Sequence, residues 1–156
     1  MSVIPLLPLF HRFNKQFFDN SLTVNQQPLV KVRWSDNRLK TTAGFYKRKR
    51  INGVLDSEII LSKPILSKLS NREIYSTLCH EMIHAWVDRI LKKDEIHGPN
   101  FLNKMNQINA KENNFLFYLF DSFYIRNWDH ESHFFLKLYL PMHESFHGIK
   151  YYLFPY

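Results

Sequence analysis

The sequence predicts an α+β domain in which helices pack around a small sheet. Apolar side chains recur at helical spacing near the amino terminus and again after residue 70. Between these two regions, apolar and polar residues alternate as they do in a half-buried strand. With 156 residues, of which 45% are hydrophobic and 22% charged, the chain is long enough for one domain with a buried core.

The first predicted element is an amphipathic helix over about residues 5–20. Its apolar stripe consists of four phenylalanines at helical spacing: Phe10, Phe13, Phe17 and Phe18. Asn20 and Ser21 end this helix, and residues 26–28 are predicted to form a loop.

Three strands are predicted next. Residues 30–34 alternate between apolar and basic side chains, which gives the first strand a basic outward face. The second strand covers residues 41–46, and Gly53 marks the turn before the third. That third strand contains residues 59–61 and is closed by residues 62–64.

Two further helices are predicted after the sheet. Ser70 and Glu73 have capping-box spacing and open a helix that runs to about Leu91. Its buried side is expected to contain Ile74, Leu78, Met82, Ala85, Trp86 and Ile90. A loop over residues 92–98 follows, and Pro99 opens a helix with Phe101, Met105 and Ile108 on its apolar side.

The composition changes at Phe115. Residues 115–156 hold 15 of the chain's 25 aromatic residues and four of its eight histidines, without a clear period. We therefore divide the chain into a domain over residues 1–114 and an aromatic, histidine-rich segment over residues 115–156.

The positive charge is concentrated in one stretch. Eight basic residues lie between positions 31 and 50: Lys31, Arg33, Arg38, Lys40, Lys47, Arg48, Lys49 and Arg50. Only Asp36 opposes them, so this stretch carries the whole net charge of +7. Such a patch attracts polyanions with a salt-sensitive affinity, which predicts DNA binding by these eight residues; a merely solvated hairpin is the alternative. Residues 47–50 also have the form of a nuclear import signal.

Several classes of protein are excluded. Cys79 is the only cysteine, which excludes a disulfide scaffold and a zinc site built from several thiolates. We expect Cys79 to be a small buried residue. No run approaches the ~18 apolar residues of a membrane helix, and Pro5 and Pro8 interrupt the apolar start. We expect a soluble, reduced, intracellular protein without a membrane partner.

The predicted central helix contains His80-Glu81-Met82-Ile83-His84. The spacing of four residues puts both imidazoles on one helical face, where they can share a metal ion. Glu81 is close enough to take a proton from a zinc-bound water and pass it to a leaving amine. The motif predicts a Zn2+ site in a protease; two polar surface histidines are the alternative.

A third protein ligand is needed to leave one open position in a tetrahedral site. The candidates are Asp88, Asp94, Glu95 and His97. We predict His97, because it follows a loop long enough to turn back and Gly98-Pro99 fixes the chain beside it.

A second match to the same pattern lies at residues 143–147. Pro141 precedes it, Gly148 follows it, and a stable helix has little room there. His130 and His133 are nearby histidines of the kind that bind zinc adventitiously. We therefore assign the metal site to His80, His84 and His97.

Six segments in order resemble the SprT-like metalloprotease domain, and within it the Spartan type. They are residues 9–18, 32–35, 42–44, 59–62, 78–85 and 97–101. The resemblance covers about residues 9–114, and its most specific parts are the histidine helix and His97-Gly98-Pro99.

The resemblance implies a zincin-like metalloprotease core, with a small antiparallel or mixed sheet packed by helices and an active-site helix that carries the HExxH motif. It implies a nuclear, zinc-dependent endopeptidase that cleaves DNA-bound or DNA-crosslinked proteins in DNA repair and is stimulated by single-stranded or junction DNA. It also implies that His80, His84 and His97 bind zinc and that Glu81 is the general base.

One departure keeps two alternatives open. Proteins of the Spartan type follow this core with a zinc-binding subdomain rich in cysteine and histidine, which Cys79 alone cannot build. The aromatic segment can substitute by stacking bases. The alternatives are a proteolytically silent zinc-containing DNA-binding module and a general metallopeptidase that does not depend on DNA.

Overall fold

The computed structural model describes residues 4–52 and 54–112. In this part of the chain, helices surround small sheets, as the sequence predicts, but there are two sheets where one was expected. The elements in chain order are α1 (Leu6–Phe17), β1 (Thr23–Val24), β2 (Gln27–Pro28), β3 (Lys31–Trp34), β4 (Gly44–Ile51), β5 (Val54–Leu61), α2 (Lys63–Leu66), α3 (Asn71–Arg89) and α4 (Pro99–Lys111).

The predictions for the carboxy-terminal segment lie outside the described residues. They concern residues 115–156, including the second motif at 143–147 and the histidines His130 and His133. Among the described helices, none has both the length and the apolar character needed to cross a membrane.

Helix α1 confirms the predicted aromatic stripe. Phe10, Phe13, Phe17 and Phe18 are all at most 3% exposed. Burial of a side chain of this size contributes about 1.5–3 kcal/mol to folding, so this stripe anchors α1 in the core. After the helix, Asp19 and Asn20 adopt positive φ angles of 51° and 58°, which turn the chain towards the sheets.

A short hairpin replaces the loop predicted at residues 26–28. Strands β1 and β2 pair antiparallel, with Val24 opposite Gln27. The two residues between them, Asn25 and Gln26, have φ angles of 48° and 63°. Two successive positive φ angles are the signature of a type I′ turn, whose twist suits a two-residue hairpin.

The main sheet is mixed, with the strand order β3-β5-β4. Strand β3 runs parallel to β5, and β4 runs antiparallel to it, with pairs from Gly44↔Leu61 to Ile51↔Val54. Both β4 and β5 are longer than the predicted strands at 41–46 and 59–61. Basic side chains do not interrupt the backbone ladder because their charged ends project into solvent, so β4 continues through Lys47–Arg50.

Helices α3 and α4 begin where the sequence predicts. Ser70 Oγ accepts a hydrogen bond from the backbone N–H of Arg72 at 3.3 Å and donates one to Glu73 Oε2 at 2.5 Å. Pro99 occupies the first turn of α4. On the predicted inner side of α3, four residues are buried and two are partly buried against the core: Ile74, Leu78, Met82 and Ala85, then Trp86 and Ile90.

The two faces of the main sheet differ in character. Ile59 and Leu61 of β5 are fully buried in the core that the sheet shares with α1 and α3. Because side chains alternate along a strand, Asp56 and Glu58 belong to the opposite face. The sheet therefore presents an apolar face to the helices and a charged face away from them.

Candidate metal centre

Helix α3 brings two imidazoles together, and the segment before α4 adds a third. The Nε2 atoms of His80 and His84 are 3.1 Å apart, and those of His80 and His97 are 3.2 Å apart. The candidate ligand atoms of the three residues all lie within 4.8 Å of one another. The three predicted histidines thus converge on one point.

This geometry fits a tetrahedral metal ion. Nitrogen ligands at 2.0–2.1 Å from zinc and at tetrahedral angles lie about 3.3 Å apart. Hydrogen bonding alone explains the arrangement less well, because Nε2 of His80 contacts two partners and a ring nitrogen offers only one N–H or one lone pair. The donor set consists of imidazoles, which suit zinc and several other transition metals.

Burial keeps two of the imidazoles neutral, which is the form that binds a metal. It lowers the pKa of His80 well below the ordinary value, and the nearby His84 and His97 act in the same direction. Burial also lowers the pKa of His84 to about 4, with a further contribution from His97. Among the described residues, Nδ1 of His80 is buried and has no hydrogen-bond partner.

Phe101 forms an apolar wall against all three histidines. Its ring centroid lies 5.0 Å from that of His80, 4.5 Å from that of His84 and 4.7 Å from that of His97. Phe101 is 1% exposed, so this side of the centre excludes water. An apolar surround of this kind strengthens electrostatic interactions inside a metal site.

The segment between α3 and α4 positions His97 through its own backbone contacts. Lys92 has a φ of 55°, and the backbone N–H of Lys93 donates to the carbonyl of Val87 at 3.1 Å, so the chain turns back against the end of α3. At the other end, Glu95 accepts hydrogen bonds from the backbone N–H of Phe101 at 2.8 Å and from Asn100 Nδ2 at 3.0 Å. Glu95 thereby caps α4 immediately beside His97.

Glu81 lies beside the three histidines, 6% exposed. Burial raises the pKa of Glu81 to about 8, while a hydrogen bond with the backbone of Tyr46 acts in the opposite direction. Gly44 of β4 lies next to Glu81, because a Cβ at this glycine would be in ordinary van der Waals contact with Cγ of Glu81, 3.5 Å away. A titratable carboxyl therefore stands at the edge of the centre.

An open cleft of about 260 Å³ lies against Glu81 and His84. Arg48 and Asp88 are among the residues that line it. Tyr46 donates its hydroxyl to Asp88 Oδ2 at 2.5 Å, and Arg48 donates to both Asp88 and Asp94. The centre is thus open to a substrate from one side.

The other candidates for the third ligand have different partners. Asp88 and Asp94 bind Arg48, and Glu95 caps α4. Cys79 is 1% exposed and buried as expected, and burial raises the pKa of its thiol. Of the candidates, His97 alone joins His80 and His84 in the described metal group.

All eight basic residues of the predicted DNA-binding stretch are exposed, but the sheet divides them between its two faces. The register places four on the charged face and two on the face towards α3: Lys31, Arg33, Lys47 and Lys49, then Arg48 and Arg50. Arg38 and Lys40 lie between β3 and β4. The stretch does not form one uniform patch.

Acidic residues of β5 reduce the charge of that face. Lys31 binds Asp56 at 2.9 Å, and Glu58 binds Lys47 at 2.8 Å and also Arg33. Sequence counting missed these pairs because Asp56 and Glu58 follow the basic stretch along the chain. The sequence analysis also did not identify Phe101 as the apolar wall of the centre or Tyr46 as a partner of Glu81. Phe101 could have been identified because it lies only four positions after His97 in the chain.

The chain is similar to known proteins over most of its length. A model of the SprT-like family matches residues 6–119. The chain is 37% identical to the DNA-dependent metalloprotease SPRTN of Homo sapiens over 107 residues, which are 67% of this chain and 20% of the human protein.

Two further relatives give the same picture. Identity is 38% over 106 residues with the DNA-dependent metalloprotease dvc-1 of Caenorhabditis elegans, or 65% of this chain and 27% of that protein. It is 35% over 103 residues with SPRTN of Danio rerio, or 65% and 15%. The matched region therefore covers less than a third of each relative.

Proposed function

The chain belongs to the SprT-like family, and from this premise we propose that it is a zinc-dependent endopeptidase that cleaves DNA-bound or DNA-crosslinked proteins in the nucleus. The observation that carries the proposal is the convergence of three imidazole nitrogens next to an open cleft, which is lined by His84 and by the buried carboxyl group of Glu81. The names of the relatives, DNA-dependent metalloproteases, support the same reading. We propose residues 1–114 as the catalytic domain.

In this proposal His80, His84 and His97 hold the metal through Nε2. Neutral imidazoles, an apolar wall at Phe101 and an open side at the cleft suit a catalytic rather than a closed structural site. When bound, zinc supplies a Lewis acid that polarises the substrate carbonyl and lowers the pKa of water towards ~7.

Glu81 is the proposed general base and acid. Its carboxylate takes one proton from the water that attacks the peptide carbonyl carbon. As the C–N bond breaks, the same carboxyl group gives this proton to the leaving amine nitrogen. The hydrogen bond with the Tyr46 backbone favours the charged form of Glu81, which is the form that takes up a proton.

The basic residues of β3, β4 and their connection are the proposed contacts to DNA. Lys40, Lys49 and Arg50 support this role most directly, because no described carboxylate forms an ion pair with them. Single-stranded DNA or a DNA junction is the proposed ligand, and repair of protein crosslinks is the proposed setting. The salt dependence of affinity measures how many phosphates are contacted.

The test is cleavage of a histone by the zinc-loaded protein, with and without single-stranded DNA. Glu81→Gln is run beside it, with Glu112→Gln at the end of α4 as a control that removes a carboxylate outside the centre. We expect Glu81→Gln to lose about 10²–10⁴-fold in rate while it still binds one equivalent of zinc.

The outcomes separate the alternatives. Cleavage by Glu81→Gln at the wild-type rate overturns the proposed mechanism. Zinc and DNA binding without any cleavage identifies a silent binding module. Equal cleavage with and without DNA identifies a general metallopeptidase.

A further inference from the structure

Arg48 joins the sheet to the segment that carries the third metal ligand. Its Nη2 donates to Asp94 Oδ1 at 2.7 Å, and its Nη1 donates to Asp88 Oδ1. Asp88 lies in the last turn of α3, and Asp94 lies three residues before His97. One guanidinium on β4 therefore binds two carboxylates on opposite sides of the α3 terminus.

We propose that Arg48 is a positioning residue for the metal centre: through Asp88 and Asp94 it fixes the segment over residues 90–98 so that His97 stays in ligand position. The inference rests on the proposed function, because it concerns how tightly this centre holds its metal. Arg48 touches none of the three histidines in the described contacts, and so its effect passes through the segment.

The segment needs such a contact because little of it is buried. The Asp94 side chain is 90% exposed, and Ile96 is 77% exposed. Lys92 and Lys93 are exposed as well. A segment with so few apolar contacts opens at low free-energy cost, and an open segment withdraws His97 from the centre.

Apart from the contacts of His97 with His80 and Phe101, the hydrogen bonds described for the segment itself lie towards its two ends. The backbone hydrogen bond from Lys93 to Val87 ties the start to α3, and the Glu95 cap ties the end to α4. Within the described residues, the ion pair to Asp94 is the salt bridge that connects the segment with the sheet.

The chemistry of arginine matters for this role. Its planar guanidinium presents several N–H donors in a fixed fork, so separate nitrogens bind Asp88 and Asp94 at the same time. A lysine ammonium is a compact point charge on a flexible stem and holds two carboxylates less well. Tyr46, which donates to the other oxygen of Asp88, keeps that carboxylate in place for Arg48.

The ion pair between Arg48 and Asp94 is expected to weaken as the salt concentration rises. An exposed ion pair such as Arg48–Asp94 is screened by salt, whereas Asp88, with 12% of its side chain exposed, is screened less. Salt is therefore expected to weaken the metal affinity of the wild type more than that of a variant without Arg48.

The test measures zinc affinity in the full chain by competition with a chromophoric chelator at low and high salt. Co²⁺ is used in parallel because its visible spectrum reports the coordination geometry. The variants are Arg48→Gln, Arg48→Lys, Asp94→Asn and the double variant Arg48→Gln/Asp94→Asn. Asp19→Asn is the matched control, because it neutralises an exposed carboxylate after α1 at a positive φ that Asn tolerates.

We expect Arg48→Gln to weaken zinc binding about two- to fivefold, the range expected for the loss of a largely exposed ion pair. Asp94→Asn should weaken binding in the same direction, and the double variant no more than Arg48→Gln alone. Arg48→Lys should recover part of the affinity, and Asp19→Asn should match the wild type. The Co²⁺ spectrum of Arg48→Gln should lose intensity in its tetrahedral bands.

Wild-type zinc affinity and an unchanged Co²⁺ spectrum in Arg48→Gln would overturn the inference and leave the proposed function standing. Failure of the wild type to bind zinc would instead overturn the proposed function together with this inference. If Arg48→Gln does not fold, Asp94→Asn decides the question, because its changed side chain is almost fully in solvent.

Discussion

Gly44 at the start of β4 lies directly against Thr77 of α3. A Cβ on Gly44 would be 2.8 Å from Cγ2 of Thr77 and 3.3 Å from the carbonyl oxygen of Ile60. The missing side chain allows the edge strand to approach the histidine helix, and the backbone of Tyr46, two residues further along β4, hydrogen-bonds Glu81.

Gly44→Ala should therefore destabilise the protein by about 1–3 kcal/mol, the usual cost of overpacking a tight contact. Thr77→Ser in the same chain removes Cγ2 and should recover part of this loss, with the remainder due to the Ile60 carbonyl. Urea unfolding of both single variants and the double variant measures the coupling. If the two changes have additive effects on the free energy of unfolding, contact with Thr77 is not the cause of the destabilisation by Gly44→Ala.

Phe101→Leu should weaken metal binding about tenfold, because the flat ring that contacts all three histidines is lost from their surround. Ile108→Val is the control, because Ile108 lies in the buried face of the same helix. This change removes one methylene and should lower the free energy of unfolding by about 0.5–1.5 kcal/mol. It should leave the metal affinity unchanged. Chelator competition and urea unfolding distinguish the two. Equal metal affinities in both variants would contradict the role of Phe101.

Lys92→Gly should stabilise the protein by about 0.5–1 kcal/mol. Lys92 has a φ of 55°, a conformation that is strained for a residue with a Cβ but not for glycine. Lys93→Gly is the matched control and should destabilise, since the φ of Lys93 is not positive and glycine there only adds freedom to the unfolded chain. Urea unfolding with chelator present keeps metal binding out of the comparison. A loss of stability in Lys92→Gly would refute the argument.

The stability contributed by neutral Cys79 should decline at alkaline pH. Burial raises the pKa of this thiol above its unfolded value of about 8.5. A raised folded pKa means that this contribution is fully present below about pH 8.5 and is lost as pH rises towards the folded pKa. The difference in unfolding free energy between wild type and Cys79→Ala should be constant from pH 6 to 8 and then fall. A constant difference up to pH 10 would contradict it.

Glu58→Gln should strengthen DNA binding. In the wild type, Glu58 forms ion pairs with Lys47 and Arg33 on the charged face. Burial raises the pKa of Glu58, but the two cations lower it by more, so its pKa lies below the ordinary value. Removal of the carboxylate frees both cations, so the slope of log affinity against log salt should steepen by about 1–2. Asp19→Asn, with the same charge change outside the sheet, is the control. An equal gain in DNA affinity in the control would show that the change in net charge, and not the release of Lys47 and Arg33, causes the effect.

Short-range patterns made much of this fold predictable. The phenylalanine stripe of α1, the Ser70 cap of α3 and Pro99 of α4 are local signals, and all three are confirmed. The ends of β4 and β5 were not predictable in the same way, because their lengths depend on pairing with each other. The β1–β2 hairpin was missed because its turn is formed by Asn25 and Gln26, without the glycine that usually marks such a turn.

The same distinction holds for the candidate centre. His80 and His84 share a helical face by spacing alone, and His97 follows within one loop. The partner of Glu81 at Tyr46 and the two partners of Arg48 depend on how β4 lies against α3, which no local pattern records. The basic stretch was recognisable as a run, but its opposition by Asp56 and Glu58 depends on sheet register.

The chain separation of these groups has a consequence for folding order. His80 and His97 are 17 positions apart on one helix-loop-helix unit, so their meeting has a small loop-closure entropy cost. Tyr46 precedes Glu81 by 35 positions and reaches it only after the sheet has docked. Low contact order favours early formation of the histidine cluster, and the non-local strand follows later. The histidine cluster thus depends on local contacts, whereas the contact between the Tyr46 backbone and the Glu81 carboxyl depends on the docking of the sheet.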